Sequence, residues 1–492
     1  MSLSRNIIAN YLGRAYSIGA IYLFVPVYVR ILGLEAYGLV ALYSTILALT
    51  AVADVGLSAT FGRQAAFVQE KRSLLDLLST FERLLLLSTC SVAVVVFCAS
   101  GWIASHWLAP TEKLGVDTAV TCLRLMAVAV PAHFLISFYM AGLMGLQRQV
   151  TANGFQALLT TVRSGGVLIP ILIYPEPWVF FAWSAFATIA FAFGARMIVV
   201  RSIGMRSFST GDFRPREMLP LMKYAAGMFA IGIIASVNTQ LDKLVVSKLF
   251  DLESFGYYAL MGLLAQLPVT ITSPIAFAFF PALTAMIARE ELRQSRALYE
   301  RYTFLIALLG SIGAVGLVLF RTEVLGLWIP EPAVPRKGEK VLVYLSLGGL
   351  FLCFQLAPYY LSLARMDTWA IAALATFTLM LSGPLVWLGA RIHGLPGAAM
   401  PWLLLNAANF LVLSYVINRR YYGGSHLLWV LKFVALPAGV GTCAMWAARL
   451  VSDWLSLGLV AACVLALFVA VTVLGVMWGW RVVLPSTLRQ RG

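Results

Sequence analysis

Arg14 and Arg163 each stand deep inside an apolar run, where a charge is costly and therefore informative. A charge at the centre of a bilayer costs at least ~2.5–3.5 kcal/mol, so each needs a partner or a wet cavity. Arg14 lies about eight residues into its run, or ~12 Å at the helical rise. Asn6, Asn10, Arg14 and Ser17 follow spacings of four, four and three, which is one helical face. Asn153, Gln156, Thr160 and Arg163 make a second stripe, and Ser236, Gln240, Lys243 and Ser247 a third. Asp54, Arg63, Arg124 and Asp242 complete a ladder. Asp54 and Arg63 sit low, Arg14 and Arg163 in the middle, and Arg124, Asp242 and Lys243 high. The stripes can share one cavity if the helices surround it. Cations outnumber acids, so such a cavity attracts an anion. The planar guanidinium fork, which donates two parallel hydrogen bonds, suits phosphate.

Plainer readings stand beside these. Arg63, Arg124 and Lys432 lie close enough to the ends of their runs to snorkel. Asp242 and Lys243 can neutralise one another. Asp54 and Asp242 are candidates to bind a coupling proton or sodium ion, although pairing with nearby cations explains them equally well. His133, beside Pro131, reads first as a hydrogen-bonded helix contact. The six cysteines lie inside apolar segments without metal-type spacing, so neither a disulfide framework nor a metal site is expected. No catalytic constellation and no cofactor are expected.

The elements that must position these groups follow from composition. The chain has 492 residues, 61% of them apolar and only 12% charged. A soluble domain carries about a quarter charged residues. Apolar runs near the ~20 residues needed to cross a bilayer recur along the whole chain. The fold class expected is an all-α integral membrane protein with 14 spans. These are about 6–30, 37–60, 82–108, 118–146, 150–174, 178–200, 219–249, 254–288, 302–328, 341–364, 369–391, 396–418, 427–449 and 455–479. Of the spans' prolines, Pro268, Pro274 and Pro281 in the eighth make the best hinge candidate.

The net charge of +15 sits mostly in short loops, which topology explains without nucleic acid. With the N-terminus inside, inner loops hold about 20 Lys and Arg and outer loops about nine. The positive-inside rule then places both termini in the cytoplasm. No outer loop is long enough for a catalytic module.

Residues 27–42, VYVRILGLEAYGLVAL, align with 245–260, VVSKLFDLESFGYYAL, at an offset of 218, with six of sixteen positions identical. Spans 1–6 and 7–12 therefore read as two copies of one six-helix unit, in the same orientation because the offset is an even number of spans. Repeats of this kind characterise transporters that rock two halves about a central site. The expected division is a first bundle over 1–206, a cytoplasmic linker over 207–218, a second bundle over 219–418, and an added helix pair with a short basic tail over 419–492.

NIIANYLGRAYSIGAIYLFVPVYVRILGLEAYGLVAL and ADVGLSATFGRQAA resemble the N-terminal signature of Wzx-type polysaccharide flippases. So do NTQLDKLVVSKLFDLESFGYYAL and PIAFAFFPALTAM. These flippases belong to the multidrug, oligosaccharidyl-lipid and polysaccharide exporter superfamily. The resemblance implies two six-helix bundles around a cationic cavity open alternately to each side. It also implies a bacterial inner membrane and an undecaprenyl-pyrophosphate-linked oligosaccharide as cargo, as in O-antigen and lipopolysaccharide synthesis. Many members have 12 spans, so spans 13 and 14 depart from the shorter pattern; in the related lipid II flippases an added pair makes a lipid groove.

The function expected is thus a flippase moving that lipid from the cytoplasmic to the periplasmic leaflet, with the surrounding lipid, a polymerase and a chain-length regulator as partners. Arg14, Arg163, Arg124, Lys243 and Arg63 would hold the anion, and Asn10, Ser17, Asn153, Gln156 and Gln240 would line the cavity. A multidrug exporter of the same superfamily is the first alternative and would show a carboxylate-rich cavity. A membrane polysaccharide polymerase or ligase is the second and would show a large outer loop or an acidic motif.

Overall fold

The computed structural model describes residues 3–455 except 55, 69, 109, 112–113, 207, 215–221, 330 and 332. Among them helices dominate and no strand is present. That is what hydrocarbon demands, because a helix satisfies its backbone polar groups within one segment. The first elements are α1 (Leu3–Thr50), α2 (Leu57–Phe67), α3 (Lys71–Trp102), α4 (Val116–Gly145), α5 (Gln149–Thr160), α6 (Leu168–Ile173), α7 (Pro177–Ile203) and α8 (Met222–Leu249). Then come α9 (Leu252–Ala265), α10 (Leu267–Ala288), α11 (Leu292–Leu319), α12 (Arg321–Trp328), α13 (Ala333–Ala364), α14 (Trp369–Tyr421), α15 (His426–Val430) and α16 (Leu436–Leu455).

Among the described residues ten helical stretches are long and apolar enough to cross a membrane, so the chain is a multi-pass membrane protein. Thirteen of the expected spans coincide with helical backbone; the fourteenth, apart from residue 455, lies outside the described residues. Helix α1 holds the first span and most of the second, turning at Gly33 (φ 84°), and α14 holds the eleventh and twelfth, turning at Gly394 (φ 63°).

Several spans are interrupted where the sequence reads as continuous, and three of the breaks concern the polar residues and the hinge candidates. The second breaks at a 3₁₀ turn, Ala51–Asp54, and resumes after Gly56 (φ 72°) as α2. The fifth widens into a π turn, Thr161–Gly165, between α5 and α6. The eighth pauses at Gln266, and Pro268 opens α10, where a missing N–H costs little. Of the three hinge candidates, Pro268 therefore marks the break, while Pro274 and Pro281 lie within α10.

By backbone contacts the chain forms two compact units, Met1–Ala259 and Leu260–Gly492. The core of the first gathers Leu78, Phe81, Leu85, Phe138 and Phe61, with Phe61 and Phe138 stacked at 4.6 Å. The core of the second gathers Phe279, Tyr299, Phe354, Phe410 and Trp429, with Tyr299 stacked on Trp429 at 5.5 Å. Helix α8 opens the second copy of the expected repeat, yet it packs beside α1 in the first unit. Packing and internal repeat are thus two different partitions of one chain.

Within the first unit the two copies of the repeat motif touch. A Cβ built on Gly38 would stand 2.4 Å from the Leu252 carbonyl oxygen, and one on Gly256 would stand 2.4 Å from the Leu34 carbonyl oxygen. Positions 34 and 38 match 252 and 256 at the offset of 218, so the contact is reciprocal. Glycine at both positions is what lets the backbones approach this closely.

The same unit fastens the segment that follows α7. Four residues of α3 at helical spacing, Asp76, Ser79, Thr80 and Arg83, read its backbone. The Gly211 N–H donates to Ser79 Oγ (2.8 Å), Asp212 N–H to Asp76 Oδ1 (2.8 Å) and Arg214 N–H to Thr80 Oγ1 (3.0 Å). Arg83 lies over the Phe213 ring at 5.7 Å. The Arg214 guanidinium pairs with Asp76 at 3.1 Å, and Arg196 beside it pairs with Glu82 at 2.9 Å.

Candidate functional site

Arg163 is half-buried in the π turn of the fifth span. Its charge reaches Tyr28 and Tyr43 of α1 and His133 of α4. Among the described residues no carboxylate lies within ion-pair distance of it. With no acid paired to it among the described residues, the charge is left for an anion to meet.

A second cation stands on α8. Lys243 Nζ donates to Gln240 Oε1 at 3.1 Å, and the same oxygen accepts from Thr45 Oγ1 of α1 at 3.3 Å. Asp242 turns elsewhere and accepts from the Tyr258 hydroxyl at 2.9 Å. Lys243 is therefore held by a neutral amide, and its sequence neighbour is occupied by a phenol. Tyr43 and Thr45 are two residues apart, about 200° around a helix. The Arg163 and Lys243 groups thus flank the second half of α1, with no described contact joining them.

Asp54 caps the broken second span. Its Oδ1 accepts from the Ser58 N–H (3.2 Å) and hydroxyl (2.6 Å), satisfying a donor at the start of α2. Arg63 is exposed on α2 and lies over the Phe67 ring at 5.8 Å. Arg124 is exposed on α4 and faces α3, with Nε donating to Ser100 Oγ at 3.3 Å and the guanidinium over Phe97 at 5.3 Å. The structure does not bring Arg63 or Arg124 to Arg163. The Arg14 and Asn10 backbone lies in α1, but their side chains lie outside the described residues.

The polar stripes fare as follows. Ser17 Oγ donates to the Gly13 carbonyl at 2.9 Å, and Asn153 Nδ2 to the Gln149 carbonyl at 2.8 Å. Gly13 faces Asn153 directly: a Cβ there would stand 2.8 Å from Asn153 Oδ1. The first-span and fifth-span stripes therefore meet along α1 and α5. Gln156 is half-buried on the same helix. Among the described residues no group of three His, Cys, Asp or Glu could hold a metal ion.

Sequence reasoning passed over Tyr28, Tyr43 and Thr45. An aromatic or a threonine in an apolar run looks like core, and only the structure shows the Tyr28 hydroxyl on the Ser164 carbonyl and Thr45 on Gln240. It also passed over Tyr258, the partner of Asp242.

The sequence matches the family described as polysaccharide biosynthesis protein over residues 3–287, more than half of the chain. No curated protein matches it. The structure is similar to the lipid II flippase MurJ in an inward closed conformation, at 14% identity, covering 96% of this chain and 98% of that one, with a TM-score of 0.71. It is also similar to an inward-facing multidrug resistance MATE family transporter of the MOP superfamily, at 15% identity, 83% and 94% coverage and a TM-score of 0.64. An outward-facing MATE transporter aligns at 16% identity, 85% and 95% coverage and a TM-score of 0.55. Identities this low speak to the fold, which is that of all-helical MOP transporters and flippases. With the match over residues 3–287, the chain belongs to the polysaccharide biosynthesis protein family.

Proposed function

We propose that the chain flips an undecaprenyl-pyrophosphate-linked oligosaccharide from the cytoplasmic to the periplasmic leaflet of a bacterial inner membrane, by alternating access through a cationic cavity. The observation that carries this reading is the state of two cations, Arg163 at mid-depth and Lys243 higher. Arg163 has no carboxylate partner among the described residues, and Lys243 is held by the neutral amide of Gln240. Two charges kept in hydrocarbon without acidic partners are costly unless they meet an anion there. A pyrophosphate carries that charge, and its lipid tail stays in the bilayer while the glycan crosses. Arg14 would join Arg163 at mid-depth, with Arg63 toward the cytoplasmic entrance and Arg124 toward the exit. Asp54 and Asp242 are the carboxylates available to couple transport to a proton or sodium ion, each now engaged by a hydroxyl. Both termini would lie in the cytoplasm, and a polymerase and a chain-length regulator would receive the product.

The similarity to MATE transporters favours a second reading, export of drugs. A drug exporter for cationic compounds needs acids without basic partners; Asp54 and Asp242, each held by a hydroxyl, are the two it would use, whereas a flippase would use Arg163 and Lys243. Binding separates the two. Inorganic pyrophosphate should raise the thermal midpoint of the detergent-purified protein, and Arg163→Ala and Lys243→Ala should each shrink that rise. Stabilisation by a cationic dye, with none by pyrophosphate, would overturn the flippase reading.

A further inference from the structure

The turn that carries Arg163 is wider than an α-helical turn. The Gly166 N–H reaches back five residues to the Thr161 carbonyl at 2.9 Å, so it does not close on Val162. The Val162 carbonyl is taken instead by the indole N–H of Trp183 on α7 at 2.9 Å. The Ser164 carbonyl accepts the hydroxyl of Tyr28 on α1. A third link joins the Tyr16 hydroxyl to Thr161 Oγ1 at 2.5 Å. The site is built to fit: a Cβ on Gly166 would stand 2.4 Å from the Val162 oxygen and 3.0 Å from Trp183 Cζ2. One extra residue in a helix turns everything beyond it by about 100°. The direction of the Arg163 side chain therefore depends on whether this turn stays open.

We propose that Tyr28 and Trp183 are positioning residues that hold the π turn open from two sides and so aim the Arg163 guanidinium at the substrate's phosphate. This rests on the reading that Arg163 binds that phosphate. Neither aromatic touches the anion. Each replaces a helical hydrogen bond that the wide turn forgoes, and Tyr28, the donor to Ser164, is itself buried. Because the tethers come from α1 and α7, a shift of either helix would let the turn close and withdraw the charge, so anion affinity would follow the packing of these helices.

The test measures binding of inorganic pyrophosphate to the full-length protein in detergent. Wild type is compared with Tyr28→Phe, which keeps the ring, and Trp183→Phe, which keeps an aromatic but shortens it; each deletes one donor, and both are made in the native and the Arg163→Ala background. The expected result is a rise in Kd of roughly three- to tenfold for each single variant. In the Arg163→Ala background the same changes should move Kd less than about twofold, because nothing remains to be aimed. Two results overturn the inference alone: tether variants that leave Kd unchanged while Arg163→Ala raises it, or effects of equal size in both backgrounds, which mark general loosening of the bundle. Wild type that binds no pyrophosphate, or Arg163→Ala that binds as well as wild type, removes the anion-site reading and this inference with it.

Discussion

Asp76 shows how much of a residue's role comes from its surroundings. In sequence it is one acid in a polar, basic stretch after the second span, with nothing to single it out. In the structure it is 1% exposed and accepts the Asp212 N–H at 2.8 Å, with Arg214 at 3.1 Å. Both basic partners, Arg72 and Arg214, are about half exposed, so solvent weakens the ionic part. The stronger share lies in the backbone N–H that loses its acceptor. Asp76→Ala should lower stability by about 1–3 kcal/mol and speed proteolysis after Arg214, read by thermal unfolding and limited digestion. Asp212→Ala, at an exposed side chain, should do far less. Arg163 behaves in the opposite way: its depth in an apolar run was legible at once, because charge in hydrocarbon has no cheap explanation. Arg163→Lys keeps the charge and loses the fork. It should bind pyrophosphate more weakly than wild type and more strongly than Arg163→Ala in a titration.

At the scale of elements, hydrophobic run lengths are enough to place thirteen helical spans, because lipid leaves the backbone little choice. The interruptions are another matter. Whether the fifth span widens at Thr161–Gly165 depends on Tyr28 and Trp183, which lie far away in the chain. The second breaks where Gly56 takes a positive φ and Asp54 reaches forward to the Ser58 N–H and hydroxyl. Partners as distant as Tyr28 and Trp183 cannot be read from local propensity. The repeat motif shows the reverse case. Its glycines stood out as identities, and the reciprocal 2.4 Å approaches at Gly38 and Gly256 supply the reason. Alanine at either position must push two backbones apart. Gly38→Ala and Gly256→Ala should each lower the thermal midpoint and slow flipping, with the double variant less than additive because both act on one contact. Full activity in both would show that the crossing tolerates separation.

For the whole molecule, the 16-residue match reads as a six-plus-six repeat, whereas the division of packing at 259/260 has no mark in the sequence. Contacts group α8 with α1 through the Thr45–Gln240 bond, and one threonine in an apolar run gives no hint of that. The family and the transporter fold were within reach of the sequence, since the motifs at residues 6–42 and 53–66 carry them. The cargo was not, because a cationic face specifies an anion and leaves the sugar open. The positive-inside count makes a separate prediction at this scale. A cysteine in place of Arg206 should react with an impermeant thiol reagent only from the cytoplasmic side, and one in place of Glu331 only from the periplasmic side; the reverse pattern would invert the direction of transport.

Flipping of a lipid-linked oligosaccharide in reconstituted liposomes is the most direct measurement, with wild type set beside Arg163→Ala and Arg14→Ala at matched insertion. Wild type should expose the glycan to an external probe, and both variants should fail to do so. Wild type that exposes no glycan yet moves a small cationic dye across the same liposomes would contradict the flippase and leave a drug exporter in its place.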